Sequence, residues 1–205
     1  MPRPREIAEF GCHKRPIGLI KLAQKSESKG KKRQFVGVDI DSIQAERTLR
    51  RLGLKKIPSN VSFVKGDAVR EVEKFAPQSK DLIFAGNLFT GGYSNLGVLM
   101  GIYGAVEREA LKFLVGAKRA LKINGRVVFI QHAMDAEVFK SLGKQAGLKS
   151  HVVELTEKQA QESLAYYTRR ISSENRRVKI RNHLYGSKST ISSADLKPVA
   201  IIFRE

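Results

Sequence analysis

The chain has 205 residues, 41% of them hydrophobic and 28% charged, which is the make-up of a globular protein with room for one sizeable core. No apolar run approaches the roughly 20 residues a membrane-spanning helix needs, and the single cysteine, Cys12, excludes an intramolecular disulfide and a cysteine-based zinc site. Lysine and arginine total 38 against 20 acids, a net charge of +18 that points to a polyanionic partner, nucleic acid first of all.

The opening Met1-Pro2-Arg3-Pro4-Arg5 lacks the apolar core of a signal peptide, so a cytoplasmic location is expected. Glu6 to Gly11 reads as a short strand ending in a glycine turn. Pro16 suits the first turn of a helix, where its missing N–H has no intrahelical partner to lose. Ile17, Leu19, Ile20, Leu22 and Ala23 make that helix mostly apolar. Ser26 to Arg33 is polar and rich in lysine, an exposed loop of solvated charges. Phe35 to Asp41 is an apolar run closing on two carboxylates, the pattern of a buried strand in a parallel sheet. Ser42 caps a helix through Leu52, and Gly53 stops it.

Val61 to Asp67 is a third strand, and Glu71 to Phe75 a brief helix. Asp81 to Asn87 is a fourth strand, followed by the glycine-rich stretch Leu88 to Gly104. Ala105 to Leu121 has helical periodicity, with Val106, Ala110, Phe113, Leu114 and Ala117 on one side. Asn124-Gly125 turns the chain into a fifth strand, Arg126 to Gln131. Asp135 caps and Gly147 ends another helix, and Ser150 to Leu155 and Pro198 to Arg204 are the last two strands. Strands alternating with helices predict an α/β fold: a mostly parallel seven-stranded sheet with helices on both faces. The last two strands need not follow the parallel rule. Residues 1–205 form one domain, with residues 156–197 as a basic insertion between those two strands.

In an open α/β sheet, ligands sit outside the carboxyl ends of the strands, near the switch point in strand order. Asp39, Asp67 and Asn87 stand at three such ends. An ionised acid at Asp39 makes charge-assisted hydrogen bonds to ribose hydroxyls. Asp67 has a simpler alternative as half of an ordinary Gly-Asp turn. From Gly86 to Asn95, glycines flank Phe89 and Tyr93, which suits either a lip presenting aromatics to a substrate or turns with the rings packed beneath.

Arg169, Arg170, Arg176, Arg177, Lys179, Arg181 and Lys188 face only Glu174 in sequence and are interleaved with Tyr166, Tyr167, His183 and Tyr185. Cations for phosphates and rings for stacking are what an RNA-contacting surface uses, so Arg176, Arg177, Lys179 and Arg181 are candidate substrate contacts. The alternative is an exposed helix and loop with solvated charges. His13, His132, His151 and His183 have no metal-ligand spacing, so no metal site is expected. Cys12 beside His13 reads as a small buried residue, because adjacent side chains rarely face one another.

The order of these motifs resembles that of the class I, Rossmann-like S-adenosylmethionine-dependent methyltransferases, over essentially the whole chain. The matching pieces are a first strand with Gly11, Asp39 after the second, Gly66-Asp67 after the third and Asp81 to Asn87 at the fourth. Ala117 to Phe129, with Ile123-Asn124-Gly125 at the turn, is similar to the family's helix, leucine, lysine, Pro-Gly-Gly, strand signature. The resemblance implies S-adenosylmethionine as cofactor. Glu9 and Gly11 then match the start of the glycine-rich nucleotide loop, and Asp39 binds the ribose. Asp67 accepts from the adenine amino group while Ala68 donates its backbone N–H. Asn87, with Leu88 and Phe89, lies beside the methyl group, and Asn87 orients the acceptor.

The chain departs from the pattern at His13 and Arg15, which stand where the family has two further glycines. It also lacks the prolines that amine methylators carry after the asparagine, and the Pro-Asp-Pro-Trp of tRNA guanine-N7 methylators. The implied function is methyl transfer to nucleic acid, RNA favoured over DNA. The alternatives are a non-catalytic nucleic-acid-binding protein on the same fold, which the altered loop suits, and a small-molecule or protein methyltransferase.

Overall fold

Seven segments pair into one sheet in the order β3-β2-β1-β4-β5-β7-β6. They are β1 Arg5–Phe10, β2 Arg33–Asp39, β3 Val61–Lys65, β4 Lys80–Gly86, β5 Leu121–His132, β6 Lys149–Glu154 and β7 Pro198–Arg204. The helices are α1 Ile17–Ser28, α2 Ala45–Leu52, α3 Ala68–Lys74, α4 Tyr103–Ala120 and α5 Ala136–Gln145, the last preceded by a 3-10 turn at Ala133–Asp135. The structure, a computed structural model, describes residues 5–12, 16–40, 44–86, 88–89, 103–156 and 198–205, without the side chains of 103–106, 132, 134 and 198. The first five strands pair in parallel. β7 runs antiparallel to both β5 and β6. The expected mostly parallel, seven-stranded α/β sheet is what forms.

Side chains alternate across a strand, so each strand feeds two layers. Ala8 and Phe10, Val38, Ile83 and Ala85, Val127 and Phe129, and Ile201 and Phe203 face the layer built by α3, α4 and α5. Phe113 of α4 sits at the centre of that layer, with ring centroids 4.9 Å from Phe10 and 5.7 Å from Phe129. Phe129 in turn meets Phe139 and Phe203. Burying one such ring stabilises by about 1.5–3 kcal/mol, against about 0–1 for an exposed ion pair, so packing rather than surface charge holds this layer. On the opposite face Leu19 and Ala23 of α1 pack on Phe35, Ile7, Val61 and Phe63.

The amino ends of the central strands are tied by one carboxylate. Asp81 Oδ2 accepts from the Glu6 N–H and from Lys122 Nζ, both at 2.7 Å. Desolvation alone would raise the Asp81 pKa, but these hydrogen bonds and the nearby Lys122 and Arg5 charges hold it below the usual carboxylate range. Among the described residues no helix is long and apolar enough to cross a membrane.

Most boundaries shift by one to three residues from the sequence reading, α1 for one running on through Ser28 and β2 spanning Arg33–Asp39; three further differences have local causes. β5 begins at Leu121 rather than Arg126, because Asn124 adopts φ +66° and the register with β4 shifts between Lys80 and Leu82. Asn124-Gly125 is thus an irregularity inside a strand instead of a turn before it. α3 begins at Ala68 rather than Glu71, since Asp67 Oδ1 accepts from the Arg70 N–H at 3.0 Å and caps the helix earlier. α2 starts after Gln44 and stops at Gly53, φ +66°; the expected cap, Ser42, lies outside the described residues.

Candidate active site at the sheet switch point

The strand order reverses between β1 and β4. The chain leaving β1 enters α1 on one face, while the helix after β4 packs on the other, so a crevice opens at their carboxyl ends. β1 runs out into Gly11, whose φ of +72° lies in the region that favours glycine. Its N–H donates to the Val38 carbonyl at 2.9 Å, and the Cys12 N–H reaches the same oxygen at 3.4 Å. A Cβ on Gly11 would stand 3.2 Å from the Gly86 carbonyl and 3.5 Å from Leu88 Cδ1, so the exits of β1 and β4 approach at backbone distance.

Cys12 turns inward, 4% exposed, into the space left by Gly37 of β2. A Cβ at Gly37 would lie 3.0 Å from Cys12 Sγ, 2.8 Å from Leu19 Cδ2 and 2.9 Å from Phe63 Cδ1. The missing side chain in one strand therefore seats the turn that follows another. Burial pushes the Cys12 thiol pKa up, and the Glu9 and Asp39 carboxylates push it further. A thiol held protonated in this way is inert as a nucleophile. It also marks where the two acids converge. Glu9 stands in register with Gly37, and Asp39 lies at the next position of β2 on that same face.

The Glu9 carboxyl keeps a partly exposed edge, but surrounding protein strips enough water to push its pKa to about 7. Among the described residues no hydrogen bond or ion pair reaches it. Gly66 N–H donates to the Asp39 carbonyl at 2.9 Å, which fixes the exit of β3 beside that of β2. Asp67 follows, exposed, with Oδ1 committed to the helix cap and Oδ2 left over. The Ala68 N–H, in the first turn of α3, has no intrahelical acceptor. Glu9, Gly11, Asp39, Asp67 and Ala68 thus line three adjacent strand exits.

Phe89 is corrected from a substrate-presenting lip to a core residue. Its ring is 9% exposed and lies 5.5 Å from Phe113 and 5.6 Å from Phe129, because an aromatic gains more from that cluster than from water. It floors the crevice beneath the exit of β4. Asn87, Tyr93, His13 and Arg15 lie outside the described residues, as do Arg176, Arg177, Lys179 and Arg181. The strands flanking the basic insertion are described. Glu154 of β6 pairs with Val199 of β7, and Gln131 of β5 pairs with Val199 too, so residues 157–197 leave and rejoin the sheet at its carboxyl edge.

Gln131 escaped the sequence reading. It ends the apolar run Val127 to Ile130, is 0% exposed, and neither amide atom has a partner among the described residues. A buried polar group left unpaired costs about 1–3 kcal/mol. The signal was available, a polar residue closing an apolar strand, as at Asp39. Among the described residues no group of His, Cys, Asp and Glu could hold a metal ion.

Solved structures share this architecture. A TehB-like S-adenosylmethionine-dependent methyltransferase from Corynebacterium glutamicum superposes with a TM-score of 0.54 at 16% identity, covering 100% of this chain and 82% of that one. The O-MT segment of StiE gives 0.58 at 14% identity, covering 98% and 68%. The [4+2]-cyclase SpnF gives 0.55 at 14% identity, covering 100% and 76%. The sequence itself matches no family model, and no curated protein matches it. The chain has the class I, Rossmann-like S-adenosylmethionine-dependent methyltransferase fold. That fold hosts more than one chemistry, as the cyclase shows, so activity is argued from the site.

Proposed function

We propose that this protein is an S-adenosylmethionine-dependent methyltransferase acting on nucleic acid, with RNA favoured over DNA. The observation that carries the proposal is the convergence of Glu9 and Asp39 beside the Gly11 turn at the switch point. These residues fit an adenosine group. Gly11 permits a close backbone approach, and Asp39 offers an anionic acceptor at the strand end where ribose hydroxyls would lie. Asp67 Oδ2 is the acceptor for the adenine amino group and the Ala68 N–H the donor to its ring.

When bound, the cofactor supplies an electrophilic methyl group on a sulfonium. The chain's part is then to position and to exclude water. Phe89, backed by Phe113 and Phe129, gives the crevice an apolar floor. Glu9, ionised by a cationic neighbour, balances charge at the methionine end. Asn87, directly after β4, orients the acceptor atom. In-line transfer depends mainly on such placement, which suits a site whose described residues include no paired acid and base.

Two features support nucleic acid as the substrate class. The net charge is +18, and the arginine-rich insertion is rooted at the carboxyl edge, on the side of the crevice. Neither would be required by a small neutral substrate.

Calorimetry with S-adenosylmethionine and with its demethylated product tests the cofactor. Binding is expected well below about 1 mM, which corresponds to roughly −4 kcal/mol. Asp39→Ala should weaken it about tenfold or more, since a hydrogen bond to a charged group contributes about 1.5–3 kcal/mol. If neither ligand binds at about millimolar concentration, the enzyme reading falls and a non-catalytic binding protein replaces it.

A further inference from the structure

The insertion is not the only concentration of positive charge. Lys25 and Lys29 lie at the end of α1, Lys31 and Lys32 in the turn into β2, and Lys55 and Lys56 in the loop before β3; all six are exposed. In sequence Lys29, Lys31 and Lys32 belong to what reads as a solvated loop, Lys25 directly precedes it, and the last two are remote from it. The fold joins them. Ser59 Oγ donates to Glu27 Oε1 at 2.6 Å, and the buried Asn60 Nδ2 donates to the Ala23 carbonyl at 3.2 Å. The turn itself is closed by Gly30 N–H to the Glu27 carbonyl and Lys31 N–H to the Ser26 carbonyl, both 2.9 Å. Two loops thus form one fixed platform.

Glu27 is the only acid in residues 17–34 and 53–61, and it is occupied in joining the loops. Its pKa is held below the usual range, first by the Ser59 hydrogen bond and then also by the Lys56 charge. The neighbouring acids along the amino edge, Glu6 and Asp81, already pair with Lys80 and Lys122. Among the described residues Lys25, Lys29, Lys31 and Lys55 make no ion pair. The α1 macrodipole accounts for Lys25 in the last turn and Lys29 at the cap but not for Lys31 or Lys55, because its pull fades within the last turn.

We propose that this platform is a second nucleic-acid contact surface that grips the phosphate backbone away from the reacting nucleotide. The proposal rests on the nucleic-acid reading of the substrate. The strand joining the two regions, β2, has seven residues. At about 3.3 Å per residue it puts the platform roughly 20 Å from Asp39, so the two surfaces are distinct. Phosphate neutralisation needs charge and no shaped pocket. A protein partner fits less well. Lysine is depleted from protein interfaces, and their binding energy concentrates in aromatic and arginine anchors, whereas the sizeable exposed apolar side chains among the described residues here are two aliphatic ones, Leu22 and Ile57.

The test uses fluorescence anisotropy of the full chain with a single-stranded RNA of about 30 nucleotides, titrated across salt. The variant Lys29→Gln/Lys31→Gln/Lys55→Gln/Lys56→Gln should lose about tenfold or more in affinity near ~0.1 M salt, and its log-log salt slope should become shallower by about 2–3, at about 0.7 per lost phosphate contact. A control, Arg108→Gln/Lys112→Gln/Lys140→Gln/Lys144→Gln, removes as many charges from α4 and α5. It should lose less than about threefold. Equal weakening by the two sets overturns the proposal, since binding would then follow net charge. An unchanged affinity and slope in the platform variant also overturns it, and leaves the substrate reading standing. If the wild type binds no RNA, both fall. Melting temperatures report folding, and Lys55→Glu/Lys56→Glu repeats the test should the fourfold variant unfold.

Discussion

Glu9 titrates near neutrality because protein, with no cationic partner among the described residues, surrounds its carboxyl group. The native pKa of about 7 lies above the ordinary 4.5, so between those values the native state holds a proton that the unfolded state has released. Stability is therefore fully present below about pH 4.5 and falls as pH rises towards 7, by at most about 1.4 kcal/mol per pH unit. Glu9→Gln keeps the shape without the charge. It should melt with the wild type at about pH 4.5 and above it at about pH 8; identical curves at both would show that burial does not perturb this carboxyl. A cation bound beside Glu9 would draw its pKa back down, so cofactor binding near pH 6 should release a proton. Calorimetry in buffers of different ionisation enthalpy reads that release. At this scale Gly11, Asp39 and Asp67 were legible, because each interrupts or closes an apolar run. The seating of Cys12 was not. It depends on a side chain missing from Gly37 in another strand, which no local pattern reveals.

Among the elements, α3 shows how one residue serves two ends. Asp67 caps it through Oδ1, and the same carboxylate is the proposed adenine acceptor through Oδ2. Asp67→Ala should cost about 1 kcal/mol in chemical denaturation by loss of the cap. Asp67→Asn retains a capping oxygen, so stability should stay within about 0.5 kcal/mol while cofactor affinity drops severalfold. Unchanged affinity in both variants would confine Asp67 to capping. The strands were read well from sequence because buried parallel strands are short apolar runs bounded by polar turns, and Pro198–Arg204 matches its expected limits. Errors arose where tertiary pairing overrode local chemistry. Asn124-Gly125 has the composition of a turn, yet pairing of Leu121 with Lys80 draws the preceding residues into β5. Phe89 sits in a glycine-rich stretch that looks solvent-facing, yet two neighbouring rings of the core, Phe113 and Phe129, claim it.

For the whole molecule, the lysine platform lies at the amino edge of the sheet, while the strand ends that bound the basic insertion, Glu154 and Pro198, lie at the carboxyl edge. Replacing residues 157–197 with a short turn should preserve the fold, because β6 and β7 are already antiparallel neighbours with Glu154 opposite Val199. Loop closure grows slowly, about 0.6 kcal/mol per doubling of length, so the shortened chain should be no less stable and up to about 2 kcal/mol more so. Cofactor binding should survive, and RNA affinity should fall with a shallower salt slope. Loss of cofactor binding, or RNA affinity equal to the full chain's, would exclude the insertion as a separable substrate contact.

That separability follows from the one reversed strand. In a sheet parallel throughout, the chain after β6 would have to cross back over a face before rejoining, and any change in it would disturb a packed layer. With β7 antiparallel, the connection begins and ends on the edge where the crevice opens, between strands that hold each other in place without it. Its length and sequence are then free to drift while the acids at β1 and β2 stay fixed. Under the proposed function, this arrangement would let acceptor range evolve separately from cofactor use.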